Sequence, residues 1–216
     1  LALSTDTLGK HSTALGRLAL GVQNFSSETD TGNTAVGYQA GLSISTGINS
    51  VFVGHSAGDA FTDADHNVAV GTLALSTDTL GSRSVAIGRQ ALQTQNFTSA
   101  TNAFNVAVGD HAGISLTTGV KNTLLGAQSG DLMTTGDSNT FVGFGAGGAG
   151  DVTGDKNTSL GASALNAVTS GGNNLALGGH AGITGSPGGN ITTSSNNILL
   201  GDENITNAHI QVAFTV

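Results

Sequence analysis

An aliphatic residue stands directly before a glycine at regular intervals along the chain, within the pattern Asn/Ser-x-x-aliphatic-Gly-x-x-Ala-Gly/Leu, which returns eleven times. The anchoring glycines are Gly16, Gly37, Gly54, Gly71, Gly88, Gly109, Gly126, Gly143, Gly161, Gly178 and Gly201. The step between them is about 17 residues in most copies, short enough for one coil of a stacked repeat. The steps that end at Gly37, Gly109 and Gly201 are longer. The residue before the anchor is aliphatic in every copy, from Leu15 and Val36 to Leu177 and Leu200. The residue three before it is mostly β-branched, as in Thr13, Val51, Val68, Val85, Thr140 and Ile198. β-Branched and aliphatic residues two places apart predict a strand, with these two positions on one buried face. The position between them should then point the opposite way. It is apolar too, with Ala14, Ala35, Phe52, Ala69, Ala86, Ala107, Leu124, Phe141, Ala176 and Leu199, and only Ser159 is polar. A strand apolar on both faces needs two covering layers. A coil this short holds few large side chains, so a second chain is expected to cover the middle position. Ala35, Phe52, Ala69, Ala86, Ala107, Leu124, Phe141, Ala176 and Leu199 are thereby the expected oligomer core.

A repeat of this length cannot bury its own apolar residues, so copies must stack. Two short strands and two turns per coil predict an all-β fold, a parallel β-solenoid or β-roll of about eleven coils. At about 4.8 Å per layer the shaft is roughly 50 Å long. Each anchor glycine falls where a strand meets a turn and is expected to supply positive φ or close backbone approach. Asn or Ser four residues earlier marks the preceding corner, where stacked side chains can bond each other and the turn backbone. The residue three after the anchor is Ala in nearly every copy and Ser129 in one, which implies tight packing. Thr-Gly pairs such as Thr46-Gly47 and Thr118-Gly119 mark the opposite turn. LALSTDTLG at Leu1 to Gly9 recurs at Leu73 to Gly81, and the same displacement carries Gly16 to Gly88, Gly37 to Gly109, Gly54 to Gly126 and Gly71 to Gly143. A four-coil unit was duplicated. Leu1 falls in mid-repeat, so the chain is expected to be a segment of something longer.

NTAVGYQAG at Asn33 to Gly41 and SVAIGRQAL at Ser84 to Leu92 resemble the head repeats of trimeric autotransporter adhesins. They are more similar still to NTAVGYQAL-type repeats of bacteriophage tail fibres. The first resemblance implies a left-handed parallel β-roll assembled as a trimer, the second a trimeric virion fibre. The spacing departs from the shorter adhesin repeat, which leaves handedness open. GDENITNAHIQVAFTV at Gly201 to Val216 is similar to the segment leading into the C-terminal intramolecular chaperone of phage tailspikes. That resemblance implies a maturation cleavage close to Val216. The expected layout is a repetitive shaft over residues 1–204 and a terminal strand or connector over 205–216.

Composition narrows the function classes. A net charge of −8 with only six Lys and Arg leaves no basic patch to neutralise phosphates, which makes nucleic acid a poor partner, and none is expected. Anionic membrane surfaces are disfavoured on the same ground, and no stretch approaches the roughly 20 apolar residues of a membrane span. Cysteine is absent, so cysteine usage says nothing of redox compartment.

Chemistry is sparse. His11, His55, His66, His111, His180 and His209 form no HxH pair or His/Cys cluster. His111 and His180 lie four coils apart, about 19 Å, so they cannot share an ion. GAGGAGDVTGD at Gly145 to Asp155 lacks the nine-residue repeat of calcium-binding coils, and GFGAGG at Gly143 to Gly148 lacks the strand-helix context of a dinucleotide fingerprint. Carboxylates such as Asp59, Asp63, Asp65, Asp78 and Asp110 are scattered over turns, unlike a paired glycosidase site. No enzyme, cofactor or metal is expected.

Insertions in repeat proteins collect on one face that often binds. The three long coils at Gly21 to Gly32, Gln93 to Phe104 and Ile183 to Ser195 are therefore the expected contact sites. Asn24, Phe25 and Ser26, with Asn96, Phe97 and Thr98, set an aromatic beside amides and hydroxyls, suited to stacking on a sugar or gripping a protein receptor. Asn190 holds the third. The alternative is that Phe25 and Phe97 fold back as plugs. The expectation is a non-enzymatic homotrimeric fibre segment of a virion tail, working as shaft and as contact to a host-surface glycan or protein receptor. The head of a bacterial surface adhesin and a pure spacer are the alternatives.

Overall fold

The computed structural model describes residues 1–148, 150–183, 185–186 and 189–206. Eleven three-residue strands each end one residue before an anchor: Thr13–Leu15, Thr34–Val36, Val51–Val53, Val68–Val70, Val85–Ile87, Val106–Val108, Thr123–Leu125, Thr140–Val142, Thr158–Leu160, Leu175–Leu177 and Ile198–Leu200. They pair in parallel, in chain order, into one sheet. Register is strict, so Ala35 pairs Phe52, Phe52 pairs Ala69 and Ala107 pairs Leu124. The described residues thus form an all-β parallel solenoid with ten full turns of chain between the first and last strand. Of the expected terminal connector over 205–216, residues 207–216 lie outside the described residues.

The anchor turn is built on glycine. From Gly16 to Gly161 the anchors adopt φ between 128° and 143°, a conformation closed to L side chains. They also stack. A Cβ on Gly54 would lie 2.6 Å from the carbonyl oxygen of Gly71, and one on Gly126 would lie 2.5 Å from that of Gly143. Two and four residues later the chain turns left-handed again, as at Gln39 and Gly41 or at Gln90 and Leu92.

Those turns fold the chain over the middle strand position and reverse the expected facing. Ala35, Phe52, Ala69, Ala86, Ala107, Leu124, Phe141 and Ala176 have no exposure within the single chain, and Leu199 has 4%. They form the coil's own core rather than an oligomer core. The small residues three after the anchor, such as Ala57 and Ala91, and those seven after it, such as Ile44, Phe61, Leu116 and Met133, close on them. The positions expected to be buried face outward instead: Leu15 is 66% exposed, Leu160 54% and Ile198 74%. The reason is cross-section. A loop this short, with several left-handed turns, is too narrow to hold two side chains per strand, and it accepts the single one on the side toward which the chain turns.

Volume inside the stack is exchanged between two sites. Where the middle residue is Phe52, Leu124 or Phe141, the residue four after the same coil's anchor is Gly58, Gly130 or Gly147. A Cβ on Gly130 would lie 2.9 Å from Leu124 Cδ2. The large residue also claims space from the coil before it, since a Cβ on Gly41 would lie 2.7 Å from Phe52 Cδ2 and one on Gly113 would lie 2.6 Å from Leu124 Cδ1. Where the middle residue is Ala69 or Ala86, Leu75 or Leu92 fills the space. Close packing across adjacent layers tolerates neither overfilled nor empty sites.

Asn side chains join the layers at the corner before most strands, with Ser12, Ser50 and Ser84 at the other three. Asn122 is typical: its Oδ1 accepts Asn139 N at 2.8 Å, and its Nδ2 donates to the Gly136 carbonyl at 2.8 Å. Asn67, Asn105, Asn139, Asn157 and Asn174 make the same two kinds of bond. The ladder anticipated from sequence is present, with each side chain satisfying two backbone groups.

Two substitutions test this architecture by thermal and chemical denaturation. Gly126→Ala introduces both backbone strain and overlap with Gly143 and is expected to destabilise by at least about 3 kcal/mol. Ser159 is the one described residue whose buried side-chain oxygen has no hydrogen-bond partner. Ser159→Ala, which installs the residue found in most other coils, is expected to stabilise by about 1 kcal/mol.

Candidate functional site: the outward sheet face and the enlarged coils

The first two enlarged coils do not bulge from the stack as expected. Their additional chain pairs with the preceding coil as two short parallel ribbons, Gly9–Lys10 with Thr29–Asp30 and Gly81–Ser82 with Thr101–Asn102. The second ribbon repeats the first at the displacement of the sequence duplication, which carries Gly9 to Gly81.

Beneath each ribbon lies a polar relay that sequence reading missed, wholly buried in the second and half-buried at Asp6 in the first. Asp78 is wholly buried and accepts hydrogen bonds from Gly81 N at 2.9 Å, Phe97 N at 3.2 Å and Gln95 Nε2 at 2.6 Å. Gln95 Oε1 accepts from Asn105 Nδ2 at 2.8 Å, which links the relay to the Asn ladder. In the first unit Gln23 Nε2 donates to Asp6 and Asn33 Nδ2 donates to Gln23 Oε1 at 2.9 Å. The signal was available: Gln23, Asp78 and Gln95 lie seven residues after an anchor, where Ile44, Phe61, Leu116 and Met133 are apolar and buried. The relay seats the widened coil on its neighbour.

Phe25 and Phe97 take the plug alternative. They are 7% and 6% exposed, and a Cβ on Gly81 would lie 2.7 Å from the Phe97 ring. Their rings offer no face to a sugar or receptor. Asn24, Ser26, Asn96, Thr98 and Asn190 are exposed. In the third enlarged coil Ile191, 4% exposed, takes the inward place between exposed Asn190 and half-buried Thr192. All three coils therefore carry an exposed Asn, an inward apolar plug and a hydroxyl.

The most extensive surface feature is the outward face of the long sheet. Val51 and Val53, Val68 and Val70, Val85 and Ile87, and Val106 and Val108 form two parallel aliphatic columns continued by Leu125, Val142, Leu160 and Leu177. The valines are half-buried within the chain, and Ile87, Leu125, Leu160 and Leu177 are exposed. Solvent-facing β columns normally alternate to polar side chains, and Thr does so here at Thr13, Thr34, Thr123, Thr140 and Thr158 only in the first column.

Beside this face, in the residue after each anchor, runs an exposed column. Tyr38 stacks on His55, with ring centroids 5.2 Å apart and planes at 25°, and the Arg17 guanidinium lies 5.6 Å from the Tyr38 centroid. The layers on either side thus occupy the tyrosine ring. Further along, Arg89 holds Asp110 through two bonds of 2.9 and 3.0 Å, and the guanidinium keeps that carboxyl below its usual range. His111 bonds Gln90 at 2.7 Å, and its Nδ1 lies 2.9 Å from Asp110. Burial pushes the carboxyls of Asp59 and Asp131 up. Each lies five residues after its anchor, and the two occupy equivalent coils of the duplicated units, those of Gly54 and Gly126. Elsewhere carboxylates serve backbone corners: Asp65 and Asp137 accept Ile48 N and Val120 N at 2.8 Å. Among the described residues no three His, Cys, Asp or Glu side chains come together as a metal set, and His209 lies outside them.

The class defined so far is a parallel β-solenoid with a continuous aliphatic outer face. Comparison with protein-family models, with curated proteins and with solved structures finds no match.

Because Phe97 is a plug, Phe97→Ala should lower unfolding stability by about 3 kcal/mol, whereas Asn96→Ala should change it by less than about 0.5 kcal/mol. Denaturant titration of both variants measures the contrast.

Proposed function

We propose that this chain is a non-enzymatic, homotrimeric fibre segment of a phage tail or comparable receptor-binding appendage, a shaft that holds a contact site away from the particle. The observation that carries the reading is the aliphatic outer face running the full length of the sheet. Monomeric soluble proteins rarely expose apolar patches above a few hundred Å². A strip about 50 Å long and about 10 Å wide, with parallel strands that nearly all present Val, Ile or Leu outward, calls for cover by identical strips around a common axis. The corrected facing of the strand moves this surface from the middle position to its two neighbours. The resemblance of NTAVGYQAG to tail-fibre repeats supports the number three and the appendage.

Burial of Phe25 and Phe97 favours a second reading, the pure spacer, over recognition by the enlarged coils. What the enlarged coils retain for a glycan or protein receptor is amide and hydroxyl chemistry at Asn24, Ser26, Asn96, Thr98 and Asn190.

One experiment with two readouts tests the proposal. The chain should have three times its own mass by light scattering, and Val108→Asp with Leu125→Asp should reduce it to one chain while the far-ultraviolet β signal persists. Asn24→Ala with Asn96→Ala and Asn190→Ala should lower host-cell adsorption by at least tenfold if the enlarged coils make contact. Unchanged adsorption assigns the spacer role, and a monomeric parent chain overturns the trimer.

A further inference from the structure

The aliphatic strip alone is too small for a stable assembly. Three-residue strands stacked over eleven layers present only about 500 Å², whereas a standard interface takes about 800 Å² from each partner. Enlarging the contact requires the two edges of the strip, the residue five before each anchor and the residue one after it. From one edge to the other the outer surface spans about 20 Å, which doubles the contact to about 1,000 Å² per chain, divided between its two neighbours.

Both edges carry exposed or half-buried side chains, and in several layers a small residue at one edge shares its layer with a large one at the other. Gly32 shares its layer with Tyr38, Lys121 with Ala127, and Ser138 with Phe144. Lys156 with Ala162 continues the series. Within one chain these residues lie at opposite ends of a strand, so their complementarity serves no contact in the chain itself. Around an axis parallel to the rod, however, every strip is traversed in the same direction. The trailing edge of one chain then meets the leading edge of the next, layer by layer.

Resting on the trimer reading, we infer that the two edges interlock between neighbouring chains in the same layer. Phe144, 60% exposed and flanked in its column by Ala127 and Ala162, seats on the partner subunit's Ser138. There it lies between two cations, the partner subunit's Lys121 and the partner subunit's Lys156, whose stems and ammonium groups suit an aromatic ring. Tyr38 meets the gap left by the partner subunit's Gly32. The layers of His11 with Arg17, Asn49 with His55 and Arg83 with Arg89 carry a long side chain at both edges, and the two arginines of the last are each engaged in their own chain. Arg83 lies 6.0 Å from the Phe104 centroid and donates to Asn102 at 3.0 Å, and Arg89 is held by Asp110.

The chain contains no cysteine, which makes the edge pairing directly testable. Ser138→Cys with Phe144→Cys in one chain, oxidised and run on a denaturing non-reducing gel, should shift from one-chain to three-chain mass. Each single variant should stay at one-chain mass. Lys121→Cys with Ala127→Cys keeps Phe144 and should give the same closed trimer. A native trimer in which neither pair crosslinks overturns the interlocking and leaves the trimer standing. So does covalent dimer from Ser138→Cys or Phe144→Cys alone, because like edges would then meet. A monomeric native mass overturns both.

Discussion

The structure depends on the close approach of one anchor glycine to the next. From Gly16 to Gly161, with φ near 130° to 140° and the following carbonyl where a Cβ would stand, this column is closed to L side chains. The same geometry sets the layer spacing and turns the chain sharply off the sheet. It also brings the residues three, four and seven positions later over the middle of the strand. Each three-residue strand is too short to hold a register by itself. The glycine column and the buried Asn ladder fix register jointly, one through backbone contact and the other through paired amide bonds such as those of Asn122.

Given that frame, the core is a one-dimensional packing problem. Each coil contributes one side chain from the strand and two or three from the turns, and neighbouring coils share the space. The exchange between Phe52 and Gly58, or between Leu75 and Ala69, keeps volume constant while identity varies. Where an aspartate and glutamine replace the apolar pair, as at Asp78 and Gln95, the polar groups of the relay bond one another and the backbone, and the coil is wider. A half-satisfied relay would cost more than the apolar pair it replaces. The two relays and their ribbons recur at the period of the four-coil unit, so the duplication is visible as structure as well as text.

The surface then divides by chemistry. One side is an aliphatic strip with Tyr38, His55 and Arg89 along one edge and Arg83, Phe104 and Lys121 along the other. The remaining sides are turns rich in hydroxyls and amides, with few charges. That distribution suits a rod that associates through one side and meets solvent with the others. The carboxylates at Asp65, Asp137 and Asp155 accept hydrogen bonds from backbone amides, and the groups at Arg89, Asp110 and His111 hold one another.

The repeat, the strand before each glycine, the corner Asn ladder, the small residue after the turn and the four-coil unit were all legible from residue spacing, because each is a local requirement repeated many times. The plug role of Phe25 and Phe97 was legible only as one of two alternatives. A single inserted aromatic carries no periodicity to show which way it points. Period two established that the strand has two faces, but not which one lies inside. Two clues bore on it: Thr34, Thr123 and Thr140 tolerate a hydroxyl at an outer position, and glycine appears after the anchor where the middle residue is large. Neither decides alone. The sequence by itself determined a stacked parallel solenoid and its layer positions. Only the closed coil decided that the middle side chain is the core and its neighbours the surface, because burial depends on where the successive left-handed turns carry the chain.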